Sequence, residues 1–320
     1  MRAALFDRYG GPHVLYIGEV PVPAPSQRQA IVRVEASSIN GGEVAGRRGD
    51  LRLLTSRRFP KRTGVDFVGT VVGNVESTTE HLPVGTRVWG TVDDAGAHGA
   101  QAGYVVVEPS RYAAAPQGLT STEAASLLAG GTTALRGIRD LAGLRPGERL
   151  LVRGAAGGVG SVAVQLGKHL GAHVTGLASP SSADFVRAQG ADVVVDYATP
   201  PEQLGLYDVI FDTRGTELGA FRRRLAPRGR MVTVVPDLRR PLRSLGRLQL
   251  ERLRRTRTLR IFFGDPDRGL VDEVTRLVDA GALRPVLDTV VPLDEIVAAH
   301  ARLERGGVRG KVVVKVADTA

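Results

Sequence analysis

The chain contains no cysteine. This absence excludes disulfide bonds, a thiolate zinc site and catalysis by a thiol nucleophile. Aromatic residues are scarce at 5%. Nowhere do about 18 apolar residues follow one another, as a membrane-spanning helix would require, and residues 1–10 lack an apolar stretch of signal-peptide length. We therefore expect a cytoplasmic protein that makes no membrane contact.

What the chain does contain predicts an α/β fold with two domains. Its 320 residues are 42% hydrophobic, enough to give each of two domains a core. Strand-like runs at 30–36, 70–73, 87–92 and 103–108 are separated by Pro and Gly turns, which is typical of a small β barrel or sandwich. From about Ser121, helical and strand patterns alternate, which predicts a doubly wound parallel sheet. A closing strand at 311–316 has no obvious partner in that sheet, so we expect it to return to the first domain.

A glycine-rich turn is the strongest local signal. The strand pattern at 149–153 leads into an A-x-G-x-x-G fingerprint formed by Ala155, Gly157 and Gly160, and a helical pattern follows at 159–170. Such a turn brings the backbone and the helix N-terminus close to a pyrophosphate. Glycine-rich turns also occur for tight packing alone, but the strand and helix on either side favour a dinucleotide site.

The second strand of this pattern ends without an acid. A site for NAD usually places a carboxylate there to bind the ribose 2′-hydroxyl, whereas this chain has Ser179, Ser181 and Ser182. Hydroxyl groups can bind a 2′-phosphate, so the sequence favours NADPH. The alternative is that the serines only form a turn and cap the next helix.

Eight motifs in this order resemble the medium-chain dehydrogenase/reductase superfamily, in its zinc-independent quinone oxidoreductase (zeta-crystallin-like) branch. They are YGGPHVL at 9–15, SINGGE at 38–43, GVDFVGTVV at 64–72, VGTRVWG at 84–90, AGGTTA at 129–134, GAAGGVG at 154–160, GADVVVDY at 190–197 and RGKVVV at 309–314. The resemblance implies a GroES-like catalytic domain (1–122), a Rossmann NADP-binding domain (123–264), a C-terminal segment (265–320) that returns to the catalytic domain, and commonly a homodimer.

The same resemblance implies a set of cofactor-binding residues. Thr133 is expected near the nicotinamide, the backbone of Phe262 and Phe263 at its carboxamide, and Ser179, Ser182 and Tyr197 around the adenosine phosphate. The pyrophosphate is expected on Ala156, Gly157, Gly158, Val159 and Gly160.

Departures from related patterns limit the chemistry. Zinc-dependent relatives carry Gly-His-Glu where this chain has Gly64-Val65-Asp66, and a valine cannot ligate zinc. The Asn-Pro-x-Asp of quinone reductases is Asn-Gly-Gly-Glu at 40–43, and the Tyr that often follows is Ala45. A Lys that often binds the 2′-phosphate corresponds to Ser182, and the usual Ala-Glu-Tyr is Ala-Gly-Tyr at 102–104.

These observations predict hydride transfer from NADPH to a quinone or an α,β-unsaturated carbonyl compound, with no metal. Asn40 is the candidate donor to the carbonyl oxygen, on which negative charge collects, although an Asn before Gly-Gly can also simply hold a turn. Glu43 could orient a water or pair with Arg47. No side-chain acid is evident, so we expect the final proton to come from solvent.

An arginine-rich segment at 239–260 allows more than one interpretation of the binding partners of the protein. It carries nine arginines and one acid, Glu251, within a chain of net charge +10. Leucines at helical spacing predict an amphipathic helix with a solvated face or a lid role. Alternatives are an enoyl reductase for carrier-protein- or CoA-bound acyl chains, and a low-turnover NADPH-binding protein with a basic partner-binding helix. Nucleic-acid binding is not expected.

Overall fold

The computed structural model describes residues 1–26, 28–52, 58–74, 81–92, 99–234, 256–262 and 264–316. The chain divides into two compact units. Unit 1 comprises residues 1–129, 266–281 and 285–320, and unit 2 comprises residues 130–265 and 282–284. No helix among the described residues combines the length and apolarity needed to cross a membrane.

The strands, numbered in chain order, are β1 (Arg2–Phe6), β2 (Leu15–Glu19), β3 (Ala30–Ser38), β4 (Lys61–Arg62), β5 (Asp66–Asn74), β6 (Arg87–Thr91), β7 (Tyr104–Val107), β8 (Tyr112–Ala114), β9 (Arg149–Arg153), β10 (His173–Ala178), β11 (Val193–Asp196), β12 (Tyr207–Asp212), β13 (Leu225–Thr233), β14 (Thr258–Ile261), β15 (Leu287–Pro292) and β16 (Lys311–Lys315).

The α-helices are α1 (Gly41–Arg48), α2 (Ser121–Ala134), α3 (Gly158–His169), α4 (Ala183–Ala188), α5 (Leu218–Arg222), α6 (Arg268–Asp279) and α7 (Ile296–Arg305). A π-helical stretch, Leu135–Leu141, continues α2. Short 3-10 helices lie at Pro12–Val14, Pro109–Arg111, Pro180–Ser182, Pro201–Gln203 and Leu293–Glu295.

Unit 1 is built on β strands. Among its described residues, one sheet has the order β2-β1-β4, and a second has the order β15-β16-β3-β5-β6-β8, with β7 also paired to β3. The closing strand β16 pairs antiparallel with β3. The core faces of β3 and β5 are lined by alternate apolar side chains, which pack into one cluster with β6 and β7. This alternation is what a sheet buried on one face requires.

Unit 2 is a parallel, doubly wound sheet. Its described strands have the order β11-β10-β9-β12-β13-β14, and every pair is parallel. Counted within this unit, that is the 3-2-1-4-5-6 order of dinucleotide-binding folds, and the order reverses between β9 and β12. Leu151, Ile210 and Met231 from its central strands are buried in one cluster. The predicted fold class is therefore confirmed.

Among the elements that were not predicted from the sequence are helix α1 and strand β14. Helix α1 contains three glycines in eight residues, a composition that disfavours a helix in isolation. Strand β14 lies at the end of the arginine-rich segment and pairs with β13 at the edge of the sheet. Most of that segment, including the leucines of the predicted amphipathic helix, lies outside the described residues.

Candidate functional site: a dinucleotide turn and a polar quartet

The glycine-rich turn of unit 2 joins the carboxyl end of β9 to the start of α3. Gly154 has a left-handed backbone with φ of 77°, which favours glycine. Gly157 is the N-cap residue of α3. A Cβ on Gly160 would lie 2.0 Å from the carbonyl oxygen of Gly154, so only glycine lets the helix pack this close to the turn.

This turn fits a dinucleotide pyrophosphate. It lies where the strand order reverses, the position at which open α/β sheets bind ligands. The first N–H groups of a helix and its dipole attract an anion there. A Cβ on Gly157 would meet only the Gly154 oxygen, at 3.5 Å, so the side chain that is missing leaves open space beside the helix start. Ala156, Gly158 and Val159 are partly exposed along the same segment.

The carboxyl end of β10 carries a cluster of hydroxyl groups. The Oγ of Ser179 lies 3.0 Å from that of Ser181 and 3.1 Å from that of Ser182. Ser182 is buried, whereas Ser179 is partly exposed. The backbone N–H of Tyr197 donates to the carbonyl of Ala178 at 3.0 Å, and its side chain is 66% exposed. The structure therefore brings the residues predicted at the adenosine phosphate together.

The residues predicted at the nicotinamide also lie near one another. Thr133 is in the last turn of α2, and its Oγ1 would be 3.6 Å from a Cβ on Gly264. Phe262 follows β14, donates its backbone N–H to Thr233 at 3.3 Å, and places its ring beside Gly137. The other predicted residue, Phe263, lies outside the described residues.

A buried ion pair fixes the strand ends beneath the turn. Arg153 ends β9, and its guanidinium donates at 2.6 Å to Asp212, which ends β12. Asp212 also accepts the hydroxyl of Thr233 at 2.7 Å and the backbone N–H of Gly215 at 2.9 Å. The Arg153 guanidinium stacks 3.5 Å from the ring centre of Phe221. The carboxyl ends of β9, β12 and β13 are thereby joined through side chains.

In unit 1, Asn40 occupies the N-cap position of α1. The carboxylate of Glu43 accepts the backbone N–H of Asn40 at 2.6 Å and that of Gly64 at 2.7 Å. Asn40 therefore does hold a turn, as the alternative interpretation of its sequence context predicted. Its side chain, however, is engaged elsewhere.

That side chain belongs to what we call the polar quartet, which consists of Ser38, Asn40, Asp66 and Lys311. The Lys311 ammonium donates to the Asn40 Oδ1 atom and, at 3.0 Å, to the Ser38 Oγ atom. Asp66 Oδ2 accepts the Ser38 hydroxyl at 2.5 Å and the Asn40 Nδ2 group at 3.1 Å. Asp66 Oδ1 accepts the Ser38 backbone N–H at 2.6 Å.

Sheet topology explains why these residues meet. Ser38 ends β3, while Asp66 begins β5 and Lys311 begins β16, and both of those strands run antiparallel to β3. The end of one strand therefore lies beside the beginnings of its two neighbours. Ser38 and Asp66 are fully buried and Lys311 is 4% exposed, whereas Asn40 is partly exposed.

Burial changes the acid–base properties of this region. Burial is the main cause that raises the pKa of Glu43 to about 8; the Asp66 charge acts in the same direction, whereas hydrogen bonds from Asn40 and Gly64 and the charge of Lys311 oppose the shift. Burial also lowers the pKa of Lys311, and the charges of Asp66 and Glu43 oppose that shift.

The predicted pairing of Glu43 with Arg47 is replaced by another ion pair. Arg47 is fully buried and donates to Glu304 of α7 and, at 2.6 Å, to the carbonyl of Gly10. Glu43 instead lies toward Asn40 and Gly64, because it is the third residue of α1 and caps the start of that helix.

Within the described ranges, no group of three His, Asp or Glu side chains is placed to hold a metal ion. Val65, at the position of a zinc ligand in related enzymes, is partly buried, and its carbonyl accepts the backbone N–H of Val92 at 2.9 Å.

The sequence did not identify Lys311, Asp66 or the Arg153–Asp212 pair as site residues. Their only signal was a charged residue at the end of an otherwise apolar strand pattern, which a solvent-exposed strand end shows equally well. The pairing of strands distant in sequence decides between the two cases.

Comparisons with known proteins agree with this geometry. A family model described as an alcohol dehydrogenase GroES-like domain matches residues 26–117, and one described as a zinc-binding dehydrogenase matches residues 189–314. The chain is 32% identical to the mouse mitochondrial NAD(P)H oxidoreductase RTN4IP1 over 99% of its own length and 89% of that protein. It is 30% identical to the Arabidopsis thaliana chloroplast envelope quinone oxidoreductase homolog, with 98% of each chain covered.

Among solved structures, the quinone oxidoreductase from Coxiella burnetii is similar throughout. It superposes with a TM-score of 0.88 and 27% identity, and 99% of each chain is covered.

Proposed function

Because this chain belongs to the medium-chain dehydrogenase/reductase superfamily, in its quinone oxidoreductase branch, we propose that it is an NADPH-dependent reductase of quinones or α,β-unsaturated carbonyl compounds that works without zinc. The general class, an NAD(P)H oxidoreductase, follows from the family. The choice of NADPH, the acceptor and the independence from zinc are our proposal.

The geometry of the glycine-rich turn is the observation that carries it. Gly160 leaves no room for a side chain, and the first turn of α3 presents its N–H groups where the sheet order reverses. Gly157 to Gly160 would hold the pyrophosphate, and Thr133 and the backbone of Phe262 would contact the nicotinamide end. A bound reduced nicotinamide supplies a hydride to an electron-poor carbon of the acceptor.

The hydroxyl cluster supports the choice of NADPH. Ser179, Ser181 and Ser182 offer hydroxyl donors where a site for NAD usually has a carboxylate. The nearest acid in register is Asp196, opposite Ala178, and its Oδ1 is occupied by the backbone N–H of Ala198 at 3.0 Å. A 2′-phosphate would therefore meet hydroxyl donors at the tip of β10.

Asn40 is the proposed donor to the carbonyl oxygen of the acceptor. One hydrogen of its Nδ2 group is committed to Asp66 at 3.1 Å. Among the described residues, the other makes only long contacts of 3.3 Å, to the carbonyl and hydroxyl oxygens of Ser38, so it can turn to an oxygen that gains negative charge. Protonation of the product is completed by solvent.

Cofactor oxidation, followed by the near-ultraviolet absorbance of the reduced nicotinamide, tests this function. NADPH and NADH are each assayed against simple quinones, enones and crotonyl-CoA, with a control lacking an acceptor, before and after dialysis against EDTA. We expect turnover with NADPH and a quinone or enone, unaffected by EDTA. Loss of activity on EDTA treatment would show a metal requirement, and turnover confined to crotonyl-CoA would make the protein an enoyl reductase.

Cofactor binding provides a second measurement that does not depend on the acceptor. One added charge-assisted hydrogen bond to the 2′-phosphate would make the dissociation constant of NADPH about tenfold lower than that of NADH. Equal constants in a fluorescence titration would refute the preference for NADPH. The Ser179→Ala variant is expected to raise the dissociation constant of NADPH toward that of NADH and to leave NADH binding unchanged.

We also propose a homodimer. Among the described strands of unit 2, β14 lies at the end of the sheet order, and an edge strand offers its backbone groups to a second copy. Light scattering tests this proposal, because a homodimer has twice the molar mass of the single chain. The cytoplasmic location stays a prediction, since the mouse relative is named as mitochondrial.

A further inference from the structure

The polar quartet contains Lys311, one of the few lysines of this chain, in a buried position. Only four of the 43 basic residues counted as Lys plus Arg are lysines, and two of these, Lys61 and Lys311, are buried at 5% and 4% exposure. A lysine ammonium is a compact point charge, whereas an arginine guanidinium is a broad planar fork. At position 311, the compact group fits among three oxygens, which belong to Ser38, Ile39 and Asn40.

The chemistry of the quartet fixes the direction of every hydrogen bond in it. Lys311 can only donate, so the atom of Asn40 that it touches must be the carbonyl oxygen. An ionised Asp66 can only accept, so Asn40 must turn its amino group toward that carboxylate. Ser38 accepts from the lysine and donates to Asp66. No other orientation of the Asn40 amide satisfies both charged neighbours.

We propose that Lys311 is a positioning residue, which holds the Asn40 carboxamide with its amino group available to the acceptor carbonyl. The proposal rests on the function proposed above and adds a residue to it. Lys311 would act through Asn40, because its ammonium is already surrounded by protein oxygens.

Removing the ammonium has a consequence that a purely structural role does not predict. Without Lys311, Asp66 alone orients the Asn40 amide, so the amide turns over for part of the time and then presents its carbonyl oxygen where negative charge develops. A carbonyl oxygen of Asn40 in that place repels the developing charge, whereas the absence of the Asn40 side chain neither repels nor stabilises it. The loss of Lys311 should therefore slow turnover, but by less than the loss of Asn40, and it should have no further effect once Asn40 is removed.

The kinetic test compares Lys311→Met, Asn40→Ala and the double variant, with Lys61→Met as the matched control. Lys61 is equally buried in unit 1 but donates to the Tyr9 hydroxyl at 3.1 Å, outside the quartet. We expect Asn40→Ala to lower kcat by about 100-fold, as for loss of an oxyanion donor, and Lys311→Met to lower it by about tenfold, the effect of one lost hydrogen bond. The double variant should match Asn40→Ala, since residues that act as a unit are not additive.

Two kinetic outcomes would overturn the proposal. In the first, Lys311→Met and Lys61→Met lower kcat equally, which would reduce Lys311 to a structural residue. In the second, the two single effects multiply in the double variant, which would show that Lys311 and Asn40 act independently. The dissociation constant of NADPH should stay unchanged in every variant, because the glycine-rich turn is intact.

A spectroscopic test separates this proposal from the proposed function, because it needs no turnover. The chain has only two asparagines, Asn40 and Asn74. Labelling with ¹⁵N-asparagine therefore gives two side-chain amide signals in an NMR spectrum. Asn74 serves as the internal reference, since its Nδ2 group donates to the Leu82 carbonyl at 3.2 Å. In Lys311→Met we expect the Asn40 pair to shift and exchange faster while the Asn74 pair stays in place.

An unchanged Asn40 signal in Lys311→Met would refute the positioning role whether or not any acceptor is turned over. If the signal shifts but no acceptor is reduced by the wild-type protein, the proposed function fails and the positioning role of Lys311 stands. If Lys311→Met does not fold, Lys311→Gln replaces it, because its neutral amide can accept as well as donate and no longer fixes the orientation of the Asn40 amide; the Asn40 pair should then still shift.

Discussion

The glycine-rich turn and the polar quartet prepare for charge in opposite ways. The turn uses backbone N–H groups of one short segment, and its geometry depends on side chains that are missing. The quartet uses side chains from three strands and from the N-cap of α1, and its members are up to 273 residues apart. A backbone site is therefore encoded by neighbouring residues of the sequence, whereas a side-chain site is created when strands distant in sequence pair.

The largest effect is expected from a side chain placed in the turn. A Cβ on Gly160 would come within 2.0 Å of backbone, which cannot move without displacing β9. Gly160→Val should therefore destabilise the protein by about 5 kcal/mol and abolish cofactor binding. Chemical denaturation and a fluorescence titration with NADPH measure the two effects.

Gly157→Ala is the matched control. Its Cβ would stand 3.5 Å from the nearest atom, an ordinary contact, so stability should be nearly unchanged while cofactor affinity falls. If Gly160→Val still bound NADPH normally, the turn would not be the cofactor site, and the contrast with the quartet would lose its basis.

The elements of secondary structure that were predicted correctly are those marked by local sequence patterns. The strand predicted at 149–153 has the bounds of β9, and the helix predicted at 159–170 is α3 displaced by one residue at each end. Both are marked by local periodicity and by glycines. Helix α1 was missed because its glycines disfavour a helix, and it is stabilised by the Glu43 cap and by burial of Val44 and Arg47.

The candidate site divides in the same way. The turn and the serine cluster each consist of residues that are close in sequence, so both could be predicted from the sequence. Asp66 and Lys311 could not, because nothing local distinguishes a buried charge at a strand end from an exposed one. Asn40 was singled out only through the family resemblance, and its contacts with Asp66 and Lys311 required the structure.

A buried charge left without its partner should give the next largest effect. Asp66 is fully buried and accepts from Ser38 and Asn40. Asp66→Asn would remove the larger of the two negative charges that act on the buried Lys311 ammonium, the other being Glu43, at a cost of about 3–5 kcal/mol in the free energy of unfolding. Urea denaturation measures it, and NADPH affinity should be unchanged.

The double variant Asp66→Asn/Lys311→Met serves as the control for Asp66→Asn. Removing both charges should recover part of the lost stability, because no unpaired buried charge remains. A double variant less stable than Asp66→Asn would show that Lys311 stabilises the fold independently of Asp66.

Acid sensitivity is expected from unit 1 through His300. This side chain is fully buried, and neither ring nitrogen has a hydrogen-bond partner among the described residues. Burial lowers its pKa to about 3, and the charge of Arg47 contributes. The unfolded chain therefore binds a proton below pH 6.5 that the folded chain does not, so stability is full above that pH and falls as the pH decreases toward 3.

His300→Leu removes this proton uptake. Between about pH 6.5 and 4.5, the wild type should lose about 2 kcal/mol more stability than the variant, because the slope reaches about 1.4 kcal/mol per pH unit only below the pKa of the unfolded histidine. Denaturation midpoints at the two pH values give the difference, because every other group titrates alike in both proteins. Equal losses would mean that His300 is protonated in the folded state.

The smallest effect should come from a glycine that has no role in a site. Gly46 lies within α1, and a Cβ there would meet nothing within 4 Å. Gly46→Ala should raise the free energy of unfolding by about 0.5–1 kcal/mol, because alanine loses less backbone entropy in a helix. Urea denaturation detects the gain, and kcat should not change, since Asn40 lies at the opposite end of the helix. A loss of stability would instead show that the space beside Gly46 is needed, and the glycines of α1 would then resemble those of the dinucleotide turn.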